Sequence, residues 1–391
     1  MSDKIASKIV SAGRSKKWVN GVVNPSVQRA STVVFENVAE LKKSAAKRHD
    51  KTLFYGRRGT QTSFSFQEAM SEIDGGAGCA IYPCGTAAIA GALLSFLKSG
   101  DHLLMVDNVY EPTRDLCDNL LANFGIKTTY YDPMLGGDIE PLVQDNTKVI
   151  FTESPGSLSM EVQDIPAISK VCKRHDIVLM LDNTYASILN FDAFEHGVDI
   201  SIQSATKYIV GHSDVMLGTA SSNEKHWPQL RENSYLLGQC ASPDDIYLAL
   251  RGLRTVGVRM AQQAINARLI ANWLDKQAIV DHIRHPQFDS CPGHEIFKRD
   301  HKDANGLFSF VIKEGSAKKL AAFIDHMTHF KIGYSWGGYE SLIIGVENLQ
   351  SLRTVTSWPA GHILIRLHIG LEDPQDLIDD LELGLQRFIE G

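Results

Sequence analysis

Through the middle of the chain, short runs of strand-forming apolar residues alternate with segments long enough to be helices. The runs are Cys79–Tyr82, His102–Val106, Thr128–Tyr131, Val149–Thr152, Val178–Leu181 and Ile200–Gln203. The segments between them include Thr86–Leu97, Thr113–Phe124 and Ile165–His175. The runs are apolar throughout instead of alternating, as strands covered on both faces are. This alternation predicts an α/β unit on a mostly parallel sheet over residues 60–251. Residues 1–59 are polar, with basic patches at Arg14–Lys17 and Lys47–His49, and predict an extended arm with one helix around Val38–Arg48. Phe35, Phe54 and Tyr55 are more apolar than a free tail requires, so the arm is expected to pack on something, such as a neighbouring subunit. From 252 to 391 a long helical segment (Thr255–Lys276) leads into strands at Gly306–Lys313, Ser341–Val346 and Ile363–His368, with helices at Ala317–His326 and Pro374–Phe388. This predicts a smaller α+β domain.

Charge and cysteine content narrow the classes. Lys+Arg 39 against Asp+Glu 46 gives a net charge of −7 over 391 residues, a poor match to nucleic acid or an anionic membrane. Six cysteines without a C-x-x-C pair exclude a disulfide scaffold and fit a reducing compartment. The first residues carry charge and lack the apolar stretch of a secretory signal, and no apolar run approaches ~20 residues. The expectation is a cytoplasmic protein with no membrane or nucleic-acid partner.

Several motifs fail on inspection. Gly75-Gly-Ala-Gly78 precedes a strand where a dinucleotide loop would follow one, and it reads as a turn. Gly211-His-Ser213-Asp-Val215 lacks the last glycine of a nucleophile elbow. His282, His285, Cys291, His294 and His301 match no common zinc spacing, so no metal is expected.

In a parallel α/β sheet, ligands bind beyond the carboxyl ends of the strands, and the polar residues there form a coherent set. Ser204 and Thr206 are small hydroxyl donors suited to a phosphate oxygen, and they bracket Lys207, which could form a Schiff base. Asp182 closes an apolar strand where an acid could keep a pyridine nitrogen protonated, or could simply cap the following turn. Gly85 and Thr86 open a helix whose free N–H groups suit an anion, although an ordinary βα turn looks the same. Tyr110 could lay a flat ring on an aromatic ligand. Together these are the parts of a pyridoxal phosphate site.

The stretch Asp199-Ile-Ser-Ile-Gln-Ser204-Ala-Thr206-Lys207-Tyr-Ile-Val-Gly211-His-Ser213 resembles the lysine signature of the Cys/Met-metabolism family of pyridoxal-phosphate enzymes. The resemblance continues through Phe54-Tyr55-Gly-Arg57-Arg58-Gly-Thr60, Pro83-Cys-Gly85-Thr86, Val109-Tyr110-Glu-Pro, Glu153-Ser-Pro-Gly, Asp182-Asn-Thr, Tyr334-Ser335-Trp336-Gly-Gly and Ile365-Arg366-Leu-His. It implies the aminotransferase-type large domain (fold type I), a smaller C-terminal domain and an N-terminal arm, with pyridoxal 5'-phosphate as cofactor. It also implies roles. Lys207 would hold the cofactor, Tyr110 would stack on its ring, and Asp182 would pair with the ring nitrogen. Gly85, Thr86, Ser204 and Thr206 would hold the phosphate, joined by Tyr55 and Arg57 from a neighbouring subunit; Lys207, Tyr110 and Tyr55 would take part in the chemistry. Arg57 is chosen over Arg58 by position. Arg366 would grip a substrate carboxylate, and Tyr334, Ser335 and Trp336 would line the substrate pocket. The Tyr334-Ser-Trp336 and Tyr110-Glu-Pro sequences resemble the β-eliminating branch, in which a sulfur amino acid yields a thiol, pyruvate and ammonia. The alternatives are a γ-acting relative or a non-catalytic regulator on the same fold. The partners implied are a small sulfur amino acid and further copies of the chain, as a site-sharing dimer within a tetramer.

Overall fold

A computed structural model describes residues 4–313 and 315–391. Seven strands form the large sheet: β1 (Gly78–Tyr82), β2 (His102–Val106), β3 (Lys127–Tyr131), β4 (Thr147–Glu153), β5 (Val178–Asp182), β6 (Ile200–Ser204) and β7 (Gly218–Ser222). Their order is β1-β7-β6-β5-β4-β2-β3. The pairs from β6 across to β3 are parallel, and only β7 runs against both of its neighbours. Every residue of β1, β2 and β7 is buried, as expected of strands covered on both faces. Helices Gly85–Phe96 and Ile165–His175 cover the sheet, and Leu103, Ile150, Leu179, Ala92, Leu93 and Ile168 share its core. The leucines and isoleucines among them each contribute about 1.5–3 kcal/mol when removed from water, so this core fixes the sheet on which the strand-end residues stand.

The second sheet has five strands: β8 (Val280–Arg284), β9 (Leu307–Ile312), β10 (Lys331–Ile332), β11 (Leu342–Val346) and β12 (Ile363–His368). Their order is β10-β11-β12-β9-β8, antiparallel except for the β10–β11 pair. The C-terminal helix Pro374–Glu390 packs Leu377, Leu381 and Phe388 on this sheet.

The long helix expected from Thr255 begins earlier, at Pro243, and runs to Leu274. Ser242 caps it, accepting from the Asp244 N–H, and Pro243 occupies a first-turn position that needs no N–H. Its first half (Ile246, Leu250, Leu253) packs on the core under the large sheet and its last half (Ala267, Ile270, Leu274) on the small one. The helix therefore spans residue 251 and joins the two sheets as a strut.

The arm carries more structure than its polarity predicts. Two short helices, Ile5–Ser11 and Lys16–Val19, precede the expected one at Val38–Ala46. Ile9 is buried with Phe66 and Met70, and the Trp18 ring lies 5.5 Å from Phe64. Both helices are too short for a periodic pattern to register. Beyond them Val22, Val23, Val34 and Val38 are exposed. Among the described residues no helix is long and apolar enough to cross a membrane.

Candidate active site

Lys207 follows β6 by three residues and is largely buried. Its Nζ donates a 2.6 Å hydrogen bond to Ser335 Oγ and lies 5.3 Å from the centre of the Trp336 ring. Desolvation, with the nearby Arg366 charge, lowers its pKa to about 8, while Asp182 acts in the opposite direction. At pH 8 about half of such a lysine is neutral amine, against about one part in a few hundred for an unperturbed one. In cofactor-free protein, the rate of pyridoxal phosphate uptake should therefore rise with pH and level off just above 8. Stopped-flow absorbance from pH 6.5 to 10 checks this, and a rate still climbing at pH 10 contradicts it.

Asp182, the last residue of β5, is buried with its Oδ1 accepting from both the N–H (3.0 Å) and the hydroxyl of Thr184. The same Thr184 hydroxyl accepts the Ser204 N–H at 2.8 Å and so ties the ends of β5 and β6 together. In register beside Asp182 stands Glu153, the last residue of β4, whose Oε2 accepts the Tyr110 N–H at 2.8 Å. Burial raises the pKa of both carboxyls; the Asp182 charge raises that of Glu153 further, while the Thr184 bonds and the Lys207 charge oppose the rise at Asp182. Two adjacent buried acids in this position call for a cationic N–H.

The N-terminus of helix Gly85–Phe96 faces the end of β6. A Cβ on Gly85 would stand 2.7 Å from the side chain of Ser204, so only glycine allows this approach. The carbonyl of Cys84 takes the Ala88 N–H and its sulfur takes that of Ala87, leaving the N–H groups of Gly85 and Thr86 at the open end. An open helix end beside a hydroxyl is an anion site. Thr206 lies beside it, but its hydroxyl is held between the N–H and the carbonyl of Leu217.

Arg366 projects from β12, its Nη2 donating to the Ser335 carbonyl at 3.2 Å. Burial lowers its pKa to about 10, and the hydroxyls of Tyr110 and Tyr334 oppose the shift, so it remains a cation. Tyr110 is partly exposed, and burial followed by the Glu153 charge raises its pKa, keeping it a neutral phenol. Tyr334 is exposed. Lys207, Asp182, Tyr110, Arg366, Ser204, Gly85, Ser335 and Trp336 thus converge on one edge of the large sheet.

Tyr55 and Arg57 do not join them within one chain. Arg57 Nη1 donates to the Tyr235 carbonyl at 3.0 Å, and the Arg58 guanidinium lies 4.2 Å from the centre of the Tyr235 ring. Both line a separate surface cleft with Tyr55, Trp227 and Gln239. Among the described residues no group of three His, Cys, Asp or Glu is placed to hold a metal ion.

The sequence had singled out most of this set. Glu153 was named there only within the Glu153-Ser-Pro-Gly stretch, with no role; the structure sets it beside Asp182 and bonds it to the Tyr110 N–H. The Thr184 clamp and the close approach at Gly85 appear only in three dimensions.

The donor set fits pyridoxal phosphate: a lysine close to neutrality, paired buried acids for a ring N–H, and an open helix end for a phosphate. The chain belongs to the Cys/Met metabolism family of PLP-dependent enzymes, which it matches over residues 6–386. It is 47% identical to the cystathionine beta-lyase of Escherichia coli over 395 residues, covering all of both chains. It is 46% identical to that of Haemophilus influenzae, covering 98% of each. The fold superimposes with a TM-score of 0.89 on the cystathionine gamma synthase of Xanthomonas oryzae, a structure with aminoacrylate and cysteine, at 29% identity and full coverage of both chains.

Proposed function

We propose that the protein is a pyridoxal-phosphate-dependent carbon–sulfur lyase that cleaves L-cystathionine by β-elimination to L-homocysteine, pyruvate and ammonia, a step of methionine biosynthesis. The observation that carries this reading is the turn at Ser335 and Trp336, which bonds to both Lys207 and Arg366. The similarity to the two bacterial beta-lyases supports it.

Pyridoxal phosphate, when bound, supplies the electron sink that makes the Cα proton of the substrate removable. The helix end at Gly85 and Thr86, with Ser204, would hold its phosphate, joined by Thr206 once its hydroxyl turns from the Leu217 carbonyl; Asp182 would hold its ring N–H; Tyr110 would cover its ring. Lys207 would carry it between turnovers and, once freed by the substrate amine, take the Cα proton, a task suited to an amine with a pKa near 8. Arg366 would bind the α-carboxylate; a planar guanidinium can do so with two parallel bonds. Trp336, beside that carboxylate, would orient the Cβ–S bond for departure of the thiolate. A proton from Lys207 or the Tyr110 phenol would then reach the sulfur, and water completes the balance by releasing pyruvate and ammonia.

Product analysis tests the regiochemistry. Cystathionine should yield pyruvate and homocysteine with little 2-oxobutyrate or cysteine, and mainly 2-oxobutyrate would reassign the chain to γ-elimination.

In this reading the start of the 1–59 arm anchors on its own chain through Ile9 and Trp18 and its later part, up to Gly59, reaches a second copy, while 60–251 carry the cofactor and 252–391 close the substrate side. Tyr55 and Arg57 would then complete the partner's phosphate site, in a dimer that pairs again into a tetramer. A mixture of Arg57→Ala and Lys207→Ala subunits should recover activity, since each hybrid holds one site with both residues intact. Random mixing should give roughly a quarter of the parental rate, and no recovery would place the arm in its own subunit's site.

A further inference from the structure

The turn that meets Lys207 is held from below by a residue to which the reaction above gives no part. Strand β12 presents Arg366 and, two positions on, His368 to the same side. Arg366 reaches the Ser335 carbonyl, and His368 Nε2 lies 3.1 Å from both the N–H of Gly337 and the carbonyl of Gly338. One tautomer accepts from Gly337 and the other donates to Gly338, so a neutral imidazole bonds to the turn in either form. The ring is 1% exposed, and burial, with the charges of Arg366 and Lys207, lowers its pKa to about 4. It stays neutral at physiological pH.

The turn has little freedom to support itself. Ser335 is a non-glycine residue at φ +86, a left-handed conformation that surrounding contacts must maintain. Gly337 is also at φ +86, and a Cβ there would come within 2.9 Å of the Lys207 carbonyl carbon and the Tyr208 nitrogen. The turn therefore lies directly on the Lys207 backbone. A second route joins His368 to the same place: its ring centre is 6.2 Å from that of Tyr208, which is 5.4 Å from that of Trp336. Gln263 adds a 2.6 Å bond from Nε2 to the Gly338 carbonyl.

We propose that His368 is a positioning residue for substrate recognition, setting Ser335 and Trp336 through its contact with the Gly337–Gly338 turn. Its bonds go to the turn on the substrate side, while Gly85, Ser204 and Asp182, which hold the cofactor's phosphate and ring in the reading above, stand on other elements. The inference rests on the lyase reading above.

The test compares His368→Leu, which removes the bond to the turn, with His368→Gln, whose amide reaches the position of Nε2. Each is purified as holoenzyme and assayed for cofactor absorbance, melting temperature, and kcat and KM for cystathionine. His368→Leu should keep its cofactor absorbance while KM rises about tenfold or more, and His368→Gln should restore KM to within about threefold of the parent. Loss of cofactor together with activity overturns the proposal, as does an unchanged KM in His368→Leu or a failure of His368→Gln to recover. Should His368→Leu not fold, His368→Gln and Gln263→Leu decide. A near-parental KM in both supports His368 as the support of the turn; a KM raised tenfold in either overturns it. Failure of the lyase reading is seen separately, in a parent protein that releases no pyruvate from cystathionine.

Discussion

Replacing Lys207 with alanine is expected to lower cystathionine turnover by about 10⁴-fold or more, because one side chain would both carry the cofactor and move the Cα proton. The visible absorbance of the lysine-bound cofactor should vanish with it. Cofactor binding should weaken without disappearing, since the helix end at Gly85, the Ser204 hydroxyl and the Asp182 carboxylate remain in place. Equilibrium dialysis against pyridoxal phosphate, together with pyruvate release, separates these effects. Parental turnover in Lys207→Ala would refute the assignment of the site.

The second large effect is expected far from any reacting atom, at Asp107. This carboxylate, just past β2, is fully buried. It accepts from Arg114 Nη2 at 2.7 Å, from the N–H groups of Thr354, Val355 and Thr356 at 2.9–3.1 Å, and from the hydroxyls of both threonines. These bonds, with the Arg114 charge, hold its pKa far below the usual carboxylate range despite burial, so it is ionised throughout the working range. Arg353 adds bonds to the Ser157 carbonyl and the Ser159 hydroxyl, fastening the same segment to the loop after β4. Asp107→Ala leaves the buried Arg114 uncompensated and three backbone donors without their acceptor. Breaking a buried pair from one side costs about 3–5 kcal/mol, and denaturant unfolding should show a loss of that order. Asp107→Asn should lie between the two proteins, since its amide oxygen still accepts but carries no charge. A change below about 1 kcal/mol in Asp107→Ala would show that the segment at 353–356 does not depend on this carboxylate.

How much was legible in the sequence depended on how local the cause was. β2, β12 and the helix Ile165–His175 end where the sequence pattern ends, because a strand buried on both faces, or a helix with one apolar and one charged face, leaves no ambiguity in its period. β7, Gly-Thr-Ala-Ser-Ser, was missed: it is short, small and polar, and it is a strand because β1 and β6 flank it. The long helix expected to start at Thr255 starts at Pro243 instead, and Gly252 lets its first half lie against the carbonyls of Ile209 and Val210. At the site, residues that close strands could be named from the sequence, since the sheet dictates where a ligand lies. His368 could not, because in Ile-Leu-Ile-Arg-Leu-His it reads as one more buried position of the strand, and only the turn above it gives it a partner.

The turn at Ser335–Gly337 lies on the backbone of Lys207, and Ser204, at the end of the strand before that lysine, meets the helix that opens at Gly85. These three segments are spread over most of the chain, so the pocket is among its most non-local features. Contacts of that range form late and slowly, after the parts they join. During synthesis the large sheet can collapse while β12 is still unmade, and a chain at that stage has a helix end and a lysine but nothing over them. Capture of the cofactor in its finished setting is thus a late event in the maturation of the protein. Variants that slow the docking of the second sheet should stay colourless until that docking is complete, and gain colour with it.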